Sequence, residues 1–214
     1  KYIKYTLDSL CDECTNKRLV LEKPEISDME KGETEPDARY QKNGQSCLEV
    51  LVVDDGSTDH TGKIADQYAK IYPDTVRVIH KENGGHGSGI NCGIREARGR
   101  YLKIVDADDW VEPEAFSNLL DALAHTNADA VVSGFYWRFD NGSGEESSFP
   151  SDAEMKEPFK GVKCGKSYVL DGIADQVYMK MHGITWRTEI LKQMPLLIDH
   201  HCFYGDAESI LYRI

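Results

Sequence analysis

The 214-residue chain carries 25 Lys and Arg against 37 Asp and Glu, a formal net charge of −12 at pH 7. Nucleic acid and anionic membranes are bound through basic faces, so neither is expected as a general partner. The length suffices to bury the core of one domain, and no apolar run approaches the roughly 20 residues of a membrane span.

The first ten residues follow a helical stripe through Ile3, Leu7 and Leu10 without an initial Met, and the last residues again read as helix. The chain is therefore expected either to be a piece of a longer protein or to leave out disordered segments. No secretory signal pattern is read at its start, and its six cysteines are scattered, so a reducing, cytoplasmic location is expected. Cys11 and Cys14 form one C-x-x-C with no second pair to complete a four-ligand zinc site. Residues 15–46 mix charges of both signs with little periodicity, which predicts an inserted, mobile loop that contributes little core.

From Cys47 the pattern alternates. The run "CLEVLVVD" predicts a strand covered on both faces, ending on Asp54 and Asp55. Ser57 or Thr58 is read as the cap of a helix whose stripe is Ile64, Tyr68 and Ile71, closed by Pro73. "VRVIH" predicts a second strand, followed by a glycine-rich turn and a short helix near Asn91 to Arg98. "RYLKIVD" predicts a third strand that delivers Asp106, Asp108 and Asp109. Pro113 opens a helix with Phe116, Leu119, Leu120 and Leu123 inward, and "DAVVSGFYWRF" predicts a fourth strand.

Alternating strands and helices predict an α/β fold with a mainly parallel, Rossmann-like sheet flanked by helices, which binds ligands beyond the carboxyl ends of its strands. Both Asp-rich segments fall at such ends. Carboxylates gathered at one edge repel one another unless a cation sits among them. Hard oxygen ligands suit Mg or Mn, which keep several waters and use one or two protein carboxylates. The run "GGHGSG" is neither a dinucleotide fingerprint nor a P-loop, because Cys92 stands where a third glycine would and no G-K-[ST] follows.

Taken together, "VVDDGSTD", "ENGGHGSGINCGIREARGRYLKIVDADDW", and more weakly "WRTEIL" and "YGDAES", resemble the family-2 glycosyltransferases of GT-A fold. The resemblance implies a single GT-A domain over residues 1–214, with a nucleotide-sugar half at 47–139 and an acceptor-side half at 140–214. The family's first strand, expected before the opening helix, is not among these residues, and the sequence is expected to be incomplete there. It implies an inverting, metal-dependent transfer from a nucleotide-diphosphate sugar, UDP-linked, to a hydroxyl of a saccharide or lipid-linked saccharide. The context it implies is bacterial polysaccharide or cell-envelope glycan synthesis, with room for peripheral membrane association.

By the same resemblance Asp109 reaches the divalent metal and Asp108 shares the metal or contacts the ribose, with Asp106 supporting from behind. Asp55 accepts the uracil imide N–H, while Asp54 and Ser57 hold its turn. Gly87 and Asn91 lie on the loop that approaches the sugar or phosphate, and Asp206 is the base. Many relatives carry Arg where this chain has Ile90, and Glu where it has Gly205. Lys81 and His86 are cationic substitutes for that Arg, although solvent-facing positions are expected for both, as for His200 and His201. Core packing is the expectation for both Trp110 and Trp186, with Trp110 the better candidate for lining the cleft. A catalytically silent nucleotide-sugar binding module and a nucleotidyltransferase are the rival expectations.

Overall fold

The computed structural model describes residues 48–137, 162–173, 180–194 and 198, with the backbone of 41–42, 45–46 and 154–156. The helix expected at Ile3 to Leu10, Cys11, Cys14, Cys47, most of the 15–46 segment, His200, His201 and Asp206 lie outside the described residues. At the end of that segment, β1 (Gln41–Lys42) and β2 (Gln45–Ser46) form a short antiparallel hairpin.

The predicted alternation is present. Strand β3 (Val50–Asp54) pairs in parallel with β4 (Val76–His80), joined through helix α1 (Thr61–Ile71). Helix α2 (His86–Glu96) leads into β5 (Tyr101–Lys103), and helix α3 (Pro113–His125) leads into β6 (Ala130–Val132). Strand β9 (Ile184–Arg187) lies between β5 and β6 and runs antiparallel to both, so those two run parallel to each other on either side of it. A short helix α4 (Thr188–Gln193) follows β9 directly.

Local boundaries depart from the sequence pattern in four places. Helix α1 starts at Thr61 without a side-chain cap, not at Ser57 or Thr58; the Asp59 carboxylate instead accepts the Thr61 N–H at 2.9 Å. Tyr72, not Ile71, extends its inward stripe: Ile71 is 38% exposed while Tyr72 packs on the core one turn after Tyr68. Helix α2 begins five residues before Asn91, because Gly85 at φ 84° turns the chain into a helix that tertiary packing sustains despite its glycines. The predicted fourth strand is broken after β6, and its second part, β7 (Phe135–Trp137), pairs with β8 (Glu154–Lys156).

Two apolar clusters hold the layers. Val50, Val76, Tyr68, Val111 and Phe116 unite β3 and β4 with α1 and α3. Ile90, Ile94, Met181, Leu191 and Ile198 unite α2 and α4, with Leu102, Ile104 and Trp186 packed against them from β5, the residue after it and β9. Each such side chain stabilises the fold by about 1.5–3 kcal/mol when fully buried. Trp186 is thus part of a core, as expected. Among the described residues no helix is long and apolar enough to cross a membrane.

Candidate active site

The carboxyl end of β3 splits its two adjacent carboxylates between two tasks. Asp54 is buried; its Oδ1 accepts the Ser57 N–H at 3.0 Å, and its Oδ2 lies 2.9 Å from His80 Nδ1 at the end of β4. Burial opposes the Asp54 charge, but the Ser57 and His80 hydrogen bonds outweigh it and hold the carboxyl below its ordinary value. The expectation that Asp54 and Ser57 secure the turn matches this geometry. Gly62 keeps the space open, since a Cβ there would stand 2.6 Å from Asp54 Oδ2. Gly56, at φ 75°, lets the turn close against the next loop, where a Cβ would come 2.8 Å from the Asn83 nitrogen.

Asp55 faces that next loop. Its Oδ1 pairs with Lys81 Nζ, and the Gly84 N–H meets its two oxygens at 3.1 and 3.2 Å. Burial again works against the charge, and Lys81 with the Gly84 and Gly85 N–H groups more than offsets it, so the carboxyl is held low and ionised. Lys81 is therefore not the solvent-facing lysine that its sequence context suggested. A few residues on, His86 Nε2 lies 3.1 Å from Asp106 Oδ1. The loop from Lys81 to His86 thus touches both carboxylate motifs, through Asp55 on one side and Asp106 on the other. It supplies a cation, Lys81, that Ile90 does not.

The second motif follows β5 in a turn closed by the Asp109 N–H on the Asp106 carbonyl at 3.0 Å. Burial first, and then the neighbouring Asp106 and Asp108 charges, push the Asp109 carboxyl up to about 6, with Lys103 pulling the other way. Burial brings Lys103 down to about 8; its Nζ donates to the His182 carbonyl. Trp110, next to Asp109, is 37% exposed and so available at the site's surface.

Among the described residues no three His, Cys, Asp or Glu side chains converge into a protein-only metal cage. A Mg- or Mn-type ion needs no such cage, because water and diphosphate oxygens complete its shell. A carboxyl raised by burial and then by the Asp106 and Asp108 charges is a donor whose ionised form such a cation would favour. Asp108 and Asp109 are the residues that could hold that ion.

Asn91 has a structural task that its position in a glycine-rich motif did not signal. It is 4% exposed, its Nδ2 donates to the Ile198 carbonyl at 2.7 Å, and its Oδ1 accepts the Ile198 N–H at 3.0 Å. This two-point clamp ties α2 to a segment 107 residues later and occupies both ends of the amide. Gly87 and Ser88 are buried in the first turn of α2. Gly84 admits no side chain, as a Cβ would lie 2.5 Å from Ser88 Oγ and 3.2 Å from Lys81 Nζ. Lys81, Gly84 and the Asn91 clamp are the features that motif reading missed. Only the lysine at a strand end hinted at one of them.

A model of glycosyl transferase family 2 matches residues 40–174. The uncharacterized glycosyltransferase EpsJ of Bacillus subtilis (strain 168) is 43% identical over 91 residues, 42% of this chain and 26% of that protein. Glycosyltransferase GlyG of Streptococcus pneumoniae serotype 4 is 40% identical over 141 residues, 65% of this chain and 42% of GlyG. The matches thus span less than half the length of these two relatives. The crystal structure of S. aureus TarS 1–349 in complex with UDP-GlcNAc superposes with a TM-score of 0.52 at 24% identity, over 77% of this chain and 43% of that one. That likeness shows a shared fold, the GT-A fold. With the family model covering well over half of the sequence, the chain belongs to glycosyl transferase family 2.

Proposed function

We propose that the chain is the donor-binding and catalytic part of an inverting, metal-dependent glycosyltransferase that moves a sugar from a UDP-sugar to a hydroxyl acceptor. The observation that carries this reading is the Lys81–His86 loop, which joins the carboxylates ending β3 to those following β5. Family membership supplies the reaction class, and the UDP-GlcNAc bound by TarS supports a uridine donor. The bacterial origin of the three relatives supports a bacterial polysaccharide or cell-envelope glycan as product.

In this mechanism Asp55, kept ionised by Lys81 and Gly84, accepts the imide N–H of the base. Gly87 allows close backbone approach to the donor, and Asn91 keeps α2 in place beneath it. Asp108 and Asp109 would hold a divalent cation, which when bound neutralises the charge developing on the diphosphate. The acceptor oxygen attacks the anomeric carbon, the bond to the diphosphate oxygen breaks, and its electron pair leaves with UDP. The acceptor proton goes to the carboxylate of Asp206, on the face opposite the departing group.

The experiment is UDP release from UDP-GlcNAc and related donors in the presence of Mn, by the parent chain and by Asp206→Asn. Turnover should fall by about 10² to 10⁴, the usual worth of a positioned base, while UDP affinity stays within a few-fold. Near-normal turnover by the variant contradicts the role of Asp206. An absence of donor turnover and donor binding in the parent chain contradicts the function.

A further inference from the structure

The opposite end of β5 carries a second, unrelated concentration of charge. Asp106 to Asp109 follow β5, whereas Arg98 and Arg100 precede it. There they meet Arg187 and Lys192, from the end of β9 and from α4, around a cavity of about 620 Å³. Among the described residues Glu189 is the one acid in its lining, so four cations face one carboxylate in a chain of net charge −12. We propose that this cavity is an anion site that takes a phosphate group.

Two features go beyond a basic patch. Thr188 lines the cavity and is 5% exposed, yet its buried hydroxyl has no hydrogen-bond partner among the described residues, and neither has the buried Nε–H of Arg187. Buried polar groups without partners cost about 1–3 kcal/mol each, so their persistence in consecutive residues calls for an acceptor. A phosphate supplies acceptor oxygens to both.

The cations around them are also held in position. Arg100 Nη2 donates to the Thr126 carbonyl at 2.6 Å and to Asn127 Oδ1 at 2.7 Å. Arg187 Nη2 reaches the Asn127 and Ala128 carbonyls and lies 3.5 Å from Asp129, while Lys192 Nζ donates to the Ala97 carbonyl at 2.6 Å. A guanidinium has five N–H donors and an ammonium three, so these anchors fix each group while leaving further donors to offer. The Glu189 carboxylate is partly occupied by the Gln193 amide at 3.2 Å. The volume exceeds that of one phosphate, leaving room for the remainder of a phosphate ester, from either a soluble sugar phosphate or a lipid headgroup.

The test uses the 214-residue chain at constant ionic strength, with calorimetric and thermal-shift titrations of inorganic phosphate. Thr188→Val is the informative variant, because the hydroxyl it removes makes no hydrogen bond among the described residues. It should melt no lower than the parent chain without phosphate, and should bind phosphate about 10-fold or more weakly, the worth of one hydrogen bond to a charged group. Arg98→Ser should weaken binding by a similar factor. Vesicles of phosphatidylcholine with and without phosphatidylglycerol separate the sources. Thr188-dependent binding to phosphatidylglycerol vesicles identifies a headgroup, and Thr188-dependent binding of phosphate alone identifies a soluble ester. No saturable phosphate binding, or binding that neither variant weakens, overturns the proposal.

Discussion

Replacing Asp109 by Asn should make the metal-free protein more stable while disabling the site. The carboxyl is raised from 3.8 to about 6, first by burial and then by the Asp106 and Asp108 charges. At 1.36 kcal/mol per pH unit, a fully buried group so displaced would cost about 3 kcal/mol at neutral pH. Asp109 is only half-buried, so solvent screening brings the figure nearer 1–1.5 kcal/mol. Because the folded-state value lies above the unfolded one, the folded protein takes up the extra proton between about pH 4 and 6. Stability therefore falls as pH rises through that window and levels off above it. In EDTA at pH 7.5, Asp109→Asn should raise Tm by about 2–6 °C, given 2–4 °C per kcal/mol for a domain of this size. The gap should close as the pH is lowered toward 4. Scanning calorimetry across pH measures both. A variant that melts below the parent chain in EDTA, or a gap that ignores pH, refutes the reasoning.

The remaining predictions concern the loop and the turn. Gly84→Ala should destabilise by about 1–3 kcal/mol by overpacking against Ser88, whereas Gly89→Ala, with open space at its Cβ position, should be neutral or gain up to about 1 kcal/mol in helix propensity. Urea midpoints for the pair check this, and equal losses would contradict it. His80 is raised above 6.5 chiefly by its hydrogen bonds to Asp54 and Asp66, so it stabilises the protonated fold below that value and loses the contribution as pH rises through its folded value. The Tm difference between the parent chain and His80→Ala should accordingly shrink above neutral pH. Replacing residues 15–46 by a short Gly/Ser linker should leave the fold largely intact, and a sharp fall in Tm would assign that segment a structural role.

What the sequence made legible was whatever is carried by local pattern. The apolar run into Asp54 and the helical stripe after Pro113 announce their elements, and the two Asp motifs announce a site because each follows the carboxyl end of a strand and one loop touches both. Strand β9 was not legible as a sheet member: "ITWR" is short, and its partners Tyr101–Lys103 and Ala130–Val132 lie more than fifty residues away. The same distance hid the Asn91–Ile198 clamp, since nothing in a glycine-rich helix start signals a backbone partner 107 residues on. Lys81 was misjudged because its pairing with Asp55 follows from β3 lying beside β4, a tertiary fact. Ile71 was misplaced by one residue because the helix ends there and the following turn, not periodicity, directs the side chain.

The most direct measurement is the affinity for UDP, by calorimetry, in Mn and in EDTA, for the parent chain and for Asp109→Ala. In the proposed mechanism a diphosphate approaching Asp106, Asp108 and Asp109 meets repulsion that a divalent cation offsets. UDP should therefore bind the parent chain markedly more tightly in Mn, and Asp109→Ala should abolish that difference. Equal UDP affinity with and without the metal, or a metal effect that survives in Asp109→Ala, contradicts the account.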